Sequence, residues 1–299
     1  MSITTMPFKL GRNPRMYDPR IPHLSALMSG QPPTPVPKPV DYSKGMATNL
    51  GAMLNDLLGD CTCAGWGHAV QVWTFNTTGT MLTLPNSDIE DLYEMMGYVP
   101  GNPSTDQGAI EQLVLATLLQ IGLAGHKLTG YIEVDVRSMD DIKRTIDWCG
   151  VAYIGFLVPN YIKTLMTPGA IWGVPGEAGI PLDADTRLCG GHCVIWVGFD
   201  ENDFLITNSW GSWYKMTPAF RARFVDEVYG LIDSEWVKTT GKTPANLTLA
   251  ETQQLMQPLA FNPLTGYSIP SKSKLDWFTR AFINNNNGGT IGGEIEVDW

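Results

Sequence analysis

Apolar residues in the first half of the chain recur at the three-to-four-residue period of helices. In the second half they bunch into short β-branched and aromatic runs. "CAGWGHAVQVW", opening at Cys61, sets Ala64, His68 and Val72 on one face and Trp66, Ala69, Val70 and Trp73 on the next, the pattern of a helix buried nearly all round. "SDIEDLYEMMGY" predicts a second helix, capped by Ser87 ahead of acidic first-turn residues. "GAIEQLVLATLLQIG" predicts a third, with a Leu113, Ala116, Leu119 stripe stopping at Gly122. A fourth, "SMDDIKRTIDWCG", starts at Ser138 and stops at Gly150. "VAYIGFLV", "HCVIWVGF" and "DFLITNSW" then read as strands separated by turn residues.

The ends differ from this body. Residues 1–37 form an arm whose "QPPTPVPKPV" favours extended chain. Residues 38–240 form the domain, helical over about 45–135 and strand-rich over about 136–240. Residues 241–299 are an extension, with a capping box at Thr248 and Glu251. Its Leu275, Phe278, Phe282 stripe reads as a docking face, and "NNNNGGTIGG" as a flexible tract.

Composition narrows the function. Thirty acidic against twenty basic residues give a net charge of −10 with no basic run, which argues against nucleic acid, whose binding rests on clustered cations. No apolar run reaches the ~18 residues of a membrane span, and "MSITTMPFKLGRNPRMYDPR" lacks the apolar core of a signal peptide. A cytoplasmic or virion-associated setting is expected. The five cysteines are too few, and odd in number, for a disulfide framework.

Cys61 and Cys63 stand where "GDC" meets the buried helix. A helix start stabilises a thiolate, and a nucleophilic thiolate needs a base held by a third group. Of the four histidines, His23 lies in the arm, His126 in a loop and His68 on the cysteine helix itself. His192 sits at a strand mouth after two glycines; the next strand ends in "ITNSWG", offering Asn208 to orient an imidazole and Trp210 to cover it. Convergence of Cys61, Cys63, Cys189, His192 and Cys193 on zinc is the rival reading, but Cys-x-Cys fits structural zinc spacing poorly. Taken alone, Cys61 would be a buried core residue.

The order Cys61, His192, Asn208 resembles papain-like cysteine peptidases over roughly residues 38–225. "KPVDYSKG" resembles the family's domain start, and "NDLLGDC" its oxyanion loop. "DDIKRTIDWCGVAYIGF" resembles the opening of its second lobe, and "GGHCVIWVGFDENDFLITNSWG" its His-to-Asn hairpin. The style is closest to bacteriophage and bacterial members. The resemblance implies an α+β, two-lobed fold with a helical first lobe and an antiparallel, β-barrel-like second lobe. It implies Cys61 as nucleophile, His192 as acid and base, and Asn208 as orienter. Asn55 with the Cys61 N–H would form the oxyanion hole, and Trp210, Gly108 and Gly191 would shield and line the groove. The substrate would be a peptide or protein, with no cofactor and no metal.

The sequence departs from the family at several of these positions. Asp60 replaces a neutral residue beside the nucleophile, Thr62 stands where the family has tryptophan, and Asn55 is one methylene shorter than glutamine. Gly108 alone remains of a glycine-rich wall, "NSWGSWYKM" breaks the family's spacing at Tyr214, and the usual disulfides have no counterparts. These departures support an alternative expectation: a papain-like fold kept as a structural part of a large assembly such as a bacteriophage particle, with neighbouring subunits holding arm and tail.

Overall fold

The computed structural model describes residues 8–29, 35–243 and 247–255. The order is α1 (Leu24–Leu27), β1 (Val40–Asp41), α2 (Cys61–Thr78), α3 (Asn86–Met95), α4 (Glu111–Gln120), β2 (Leu128–Glu133), α5 (Met139–Cys149) and β3 (Ala152–Pro159). There follow β4 (Ile171–Trp172), β5 (Leu188–Phe199), β6 (Phe204–Asn208), β7 (Ser212–Met216), α6 (Pro218–Phe224), β8 (Val225–Asp233), α7 (Ser234–Thr240) and α8 (Leu249–Leu255).

The fold is mixed α+β, with the helices first and most of the strands after them. The strands form one sheet in the order β2-β8-β3-β5-β6-β7-β4, with β1 added on β5. Pairing is antiparallel except between β4 and β7. The sheet is open, which corrects the barrel-like expectation. Closure needs the two end strands to pair. The Glu133 N–H of β2 instead donates to Pro22 of the arm at 2.9 Å, and β4 is only two residues long.

Local chemistry accounts for the helix ends. Ser138 accepts from the Asp141 N–H at 3.3 Å, and Gly150 closes α5 in the left-handed region at φ 75°. The Thr248–Glu251 capping box forms in both directions, at 2.8 and 3.2 Å. Ser87 does not cap α3. The helix starts one residue earlier, because the Pro85 carbonyl already accepts the Asp88 N–H at 3.0 Å. The strands β2 and β8 went unforeseen: both are buried on both faces, and a strand buried on both faces shows no polar alternation.

One contiguous buried cluster runs through α2–α5 and the sheet. Within it α2 packs closely on the central strands, where a Cβ on Gly65 would lie 3.0 Å from Cys193 Sγ and 3.0 Å from the Tyr153 ring. Trp73 Nε1 donates to the Cys149 carbonyl at 2.8 Å and fixes the far end of the helix. Among the described residues no helix is long and apolar enough to cross a membrane. The Leu275, Phe278, Phe282 stripe and the Asn-rich tract lie outside the described residues.

Placing a branched side chain at Gly65 forces helix and sheet apart. Gly65→Val should destabilise the fold by about 1–3 kcal/mol, read as a lower denaturant midpoint at unchanged slope. An unchanged midpoint would contradict this packing.

Candidate active site

Three elements build the site. α2 places Cys61 as its first residue, β5 carries His192, and β6 ends at Asn208. In the β3–β5 register His192 lies opposite Phe156, and Cys193 opposite Gly155. All three candidate residues are buried. The His192 ring stacks on Trp210 with centroids 4.4 Å apart at 15°, and meets Phe156 edge-on at 5.8 Å. Trp172 lies against both of these, 5.3 Å from Trp210 and 5.5 Å from Phe156, so the imidazole sits in an aromatic box.

The polar contacts are sparse. Neither His192 ring nitrogen has a hydrogen-bond partner, so no bond joins it to the Cys61 thiol. Burial lowers the imidazole to about 3, with Asn208 pulling the other way. Asn208 Oδ1 accepts from the Trp210 N–H at 2.7 Å, tying the two residues together. Burial raises the Cys61 thiol to about 12, against the N–H groups of Cys193 and Gly11 that face it. Both shifts have the same cause, exclusion of water, and both disfavour a thiolate–imidazolium pair.

The loop before Cys61 is tied inward. Asn55 Nδ2 donates to the Leu58 carbonyl at 3.0 Å and its Oδ1 accepts from Ser209 Oγ at 2.7 Å. Burial pushes the Asp60 carboxyl well above the usual carboxylate range, with the Asn55 amide opposing. The same burial therefore works against a negative charge beside the thiol. The Thr62 carbonyl accepts from Tyr153 OH at 2.6 Å. Cys63 is buried. Among the described residues Cys61, Cys63, Cys189, His192 and Cys193 do not gather as a metal-binding group.

What covers Cys61 is the chain's own arm, which the sequence did not foresee. Residues 8–13 run through the groove in extended form. The Lys9 N–H donates to the Asn55 carbonyl at 2.8 Å, and the Arg12 N–H to the Gly191 carbonyl at 3.1 Å. The Ala109 N–H donates to the Gly11 carbonyl at 2.7 Å, and the Asn13 N–H to the Ala109 carbonyl at 2.9 Å. Close approach explains two glycines of the groove wall. A Cβ on Gly108 would collide with the Gly11 carbonyl, and one on Gly191 would lie 2.5 Å from the Arg12 carbonyl. Phe8 stacks on Trp210 at 6.4 Å, and Lys9 Nζ pairs with Asp106 at 2.7 Å.

Arg12 fastens this segment. Its guanidinium reaches under the strand, where Nε donates to Glu227 Oε1 at 2.9 Å and Nη2 to the same oxygen. Asp226 lies 2.8 Å from Nη2 and Glu111 3.6 Å from Nε. Glu227 in turn accepts from Tyr229 OH at 2.8 Å. Arg12, Glu111, Asp226 and Glu227 carried no sequence signal, because two are lone charges in the arm and a helix turn and two belong to an unforeseen strand.

The chain has the papain-like fold. It is similar to xylellain, a cysteine protease from Xylella fastidiosa, at 17% identity and a TM-score of 0.56, over 76% of this chain and 97% of that one. It is also similar to procathepsin B S9 from Trypanosoma congolense, at 9% identity and a TM-score of 0.52, over 76% and 87% of the two chains. No family model matches the sequence, and no curated protein matches it.

Burial fixes the sign of the pH response. His192 and His68 are lowered from 6.5 to about 3 and about 4, chiefly by desolvation. Both rings should stay neutral, with carbon-bound proton resonances that do not move between pH 5 and 8. The unfolded chain takes up these protons near 6.5, so each ring lowers stability by up to ~1.4 kcal/mol per unit as pH falls from there toward its folded value. A His192 titration midpoint near its ordinary value would contradict the closed site.

Proposed function

We propose that the chain is a papain-like cysteine peptidase or related thiol acyl-hydrolase, resting with its groove filled by its own arm. One observation carries the reading: an extended peptide segment already crosses the Cys61 thiol, bonded by its backbone to both groove walls. Backbone pairing of that kind is sequence-tolerant, and a substrate peptide would use the same Ala109 and Gly191 groups.

In this reading residues 38–240 are the peptidase domain and residues 1–37 the covering arm. Cys61 is the nucleophile, His192 the general acid and base, Asn208 its orienter and Trp210 its cover. When the arm leaves, water returns and the desolvation that keeps the pair uncharged is relieved. The Cys61 thiol then gives its proton to His192 as its sulfur attacks the scissile carbonyl, and His192 hands that proton to the departing amine. Water, deprotonated by His192, releases the acid and restores the thiol. The oxyanion is met by the Cys61 N–H and by Asn55, whose amide must turn from Leu58 and Asp60. The chemistry asks for no cofactor.

A peptidyl vinyl sulfone, which alkylates an activated thiol in a peptide groove, tests this on the full chain. Adduct should form on Arg12→Ala faster than on the native chain. It should be lost when Cys61→Ala is added and kept when Cys63→Ala is added. A folded Arg12→Ala chain with no adduct on Cys61 would overturn the proposal and favour a fold kept without activity.

A further inference from the structure

Asp106 joins the loop that leads to the thiol to the wall that carries Gly108. It follows a short 3-10 turn (Pro103–Thr105) capped by Asn102, whose Oδ1 accepts from the Ser104 N–H at 3.3 Å. One carboxylate oxygen, Oδ1, accepts from the Gly59 N–H at 2.8 Å and from Tyr93 OH at 2.8 Å. Tyr93 OH in turn accepts from the Gly108 N–H at 2.8 Å. The other oxygen, Oδ2, takes Lys9 Nζ of the arm at 2.7 Å. Burial works to raise this carboxyl, and the donors of Lys9, Gly59 and Tyr93 outweigh it, so the group lies below the usual carboxylate range.

The thiol loop needs such a tie. Met53 and Leu54 both stand in the left-handed region, at φ 50° and 72°, which is costly for residues other than glycine. The Leu57 and Leu58 N–H groups both return to the Leu54 carbonyl, at 2.7 and 2.8 Å, so this stretch closes on itself. The arm adds one link, the Lys9 N–H on the Asn55 carbonyl, and that link leaves with the arm. Ser209 Oγ on Asn55 Oδ1 and Asp106 on the Gly59 N–H stay behind. Gly59 is two residues before Cys61, and the Asp60 carbonyl between them accepts the Cys63 and Ala64 N–H groups at 2.8 and 3.0 Å. Holding Gly59 therefore fixes the peptide from which α2 starts, and with it the Cys61 sulfur and N–H.

We propose that Asp106 is a positioning residue for thiol attack: its Oδ1, shared by Gly59 and Tyr93, keeps Cys61 aimed into the groove once the arm and Lys9 have gone. The inference rests on Cys61 being the nucleophile of the proposed peptidase. It gives the two oxygens separate work, Oδ1 for the loop and Oδ2 for the arm. Asparagine keeps an acceptor for the loop and gives up the lysine pair, and alanine gives up both. Displacing a reacting atom by about 1 Å costs on the order of 100-fold in rate. The Ala109 and Gly191 groups that pair with a peptide backbone are not part of this bracket.

The full chain carrying Arg12→Ala, which releases the arm, is compared with the same chain carrying Asp106→Ala or Asp106→Asn in addition. A peptidyl vinyl sulfone is titrated, and the maximal rate of adduct formation on Cys61 is separated from the half-saturating probe concentration. Asp106→Ala should lower the maximal rate at least about tenfold and leave the half-saturating concentration within about twofold. Asp106→Asn should restore most of that rate, which separates the bracket from the carboxylate charge. An unchanged maximal rate in Asp106→Ala, or an Asp106→Asn chain as slow as Asp106→Ala, would overturn the proposal.

If Asp106→Ala does not fold, Tyr93→Phe in the Arg12→Ala chain removes one donor to Oδ1 and the acceptor of the Gly108 N–H. There the maximal rate should fall by at least about threefold, and an unchanged rate would overturn the proposal. No adduct on Arg12→Ala itself would sink the peptidase and this inference with it. Adduct there at a rate indifferent to Asp106 would sink the inference alone.

Discussion

A single buried ion pair decides the state of this molecule. Arg12 meets Glu227 beneath the groove, and everything that distinguishes the site follows from the strand segment that pair holds down. Burial works against the guanidinium charge, and the nearby Glu111, Glu227 and Asp226 outweigh it, holding its pKa far above the ordinary value. With the segment fixed, water is excluded from Cys61 and His192 together. One move thus raises the thiol, lowers the imidazole and fills the peptide path.

The sheet makes that coupling short. The line Glu227, Gly155, Cys193 crosses three strands in register, and the next position on β5 is His192. The Arg12 side chain in the acidic pocket is therefore one strand residue from the imidazole, and the arm's backbone is bonded to Gly191 and Ala109 beside it. The wall glycines act by absence, leaving volume for a backbone that must come close. Asp60 contributes differently: its burial at the head of α2 raises its carboxyl pKa, which disfavours the adjacent charge that the sequence alone implied.

Much of this fold could be read locally. The start of α2 at Cys61, the caps of α5 and the β5–β6 hairpin each rest on neighbours a few residues apart, where periodicity and capping chemistry act. His192, Asn208 and Trp210 came together because the two strands that carry them are adjacent. The arm's destination could not be read, because Arg12 and Glu227 lie 215 residues apart and neither stands in a pattern. The open sheet was missed for a related reason: the arm, through Pro22, takes the edge of β2 that barrel closure would need. The proline-rich composition spoke only for the run at residues 31–40, and carried no information on residues 8–13, which lie in the groove, or on α1 within the arm.

Amide hydrogen exchange on residues 8–14 of the full chain addresses the central claim most directly. The Lys9, Arg12 and Asn13 N–H groups donate to groove carbonyls, so the native chain should protect them well beyond an open segment. Arg12→Ala should release that protection while leaving α2 and β5 protected. Exchange of the native arm at the rate of an unstructured peptide would contradict the account.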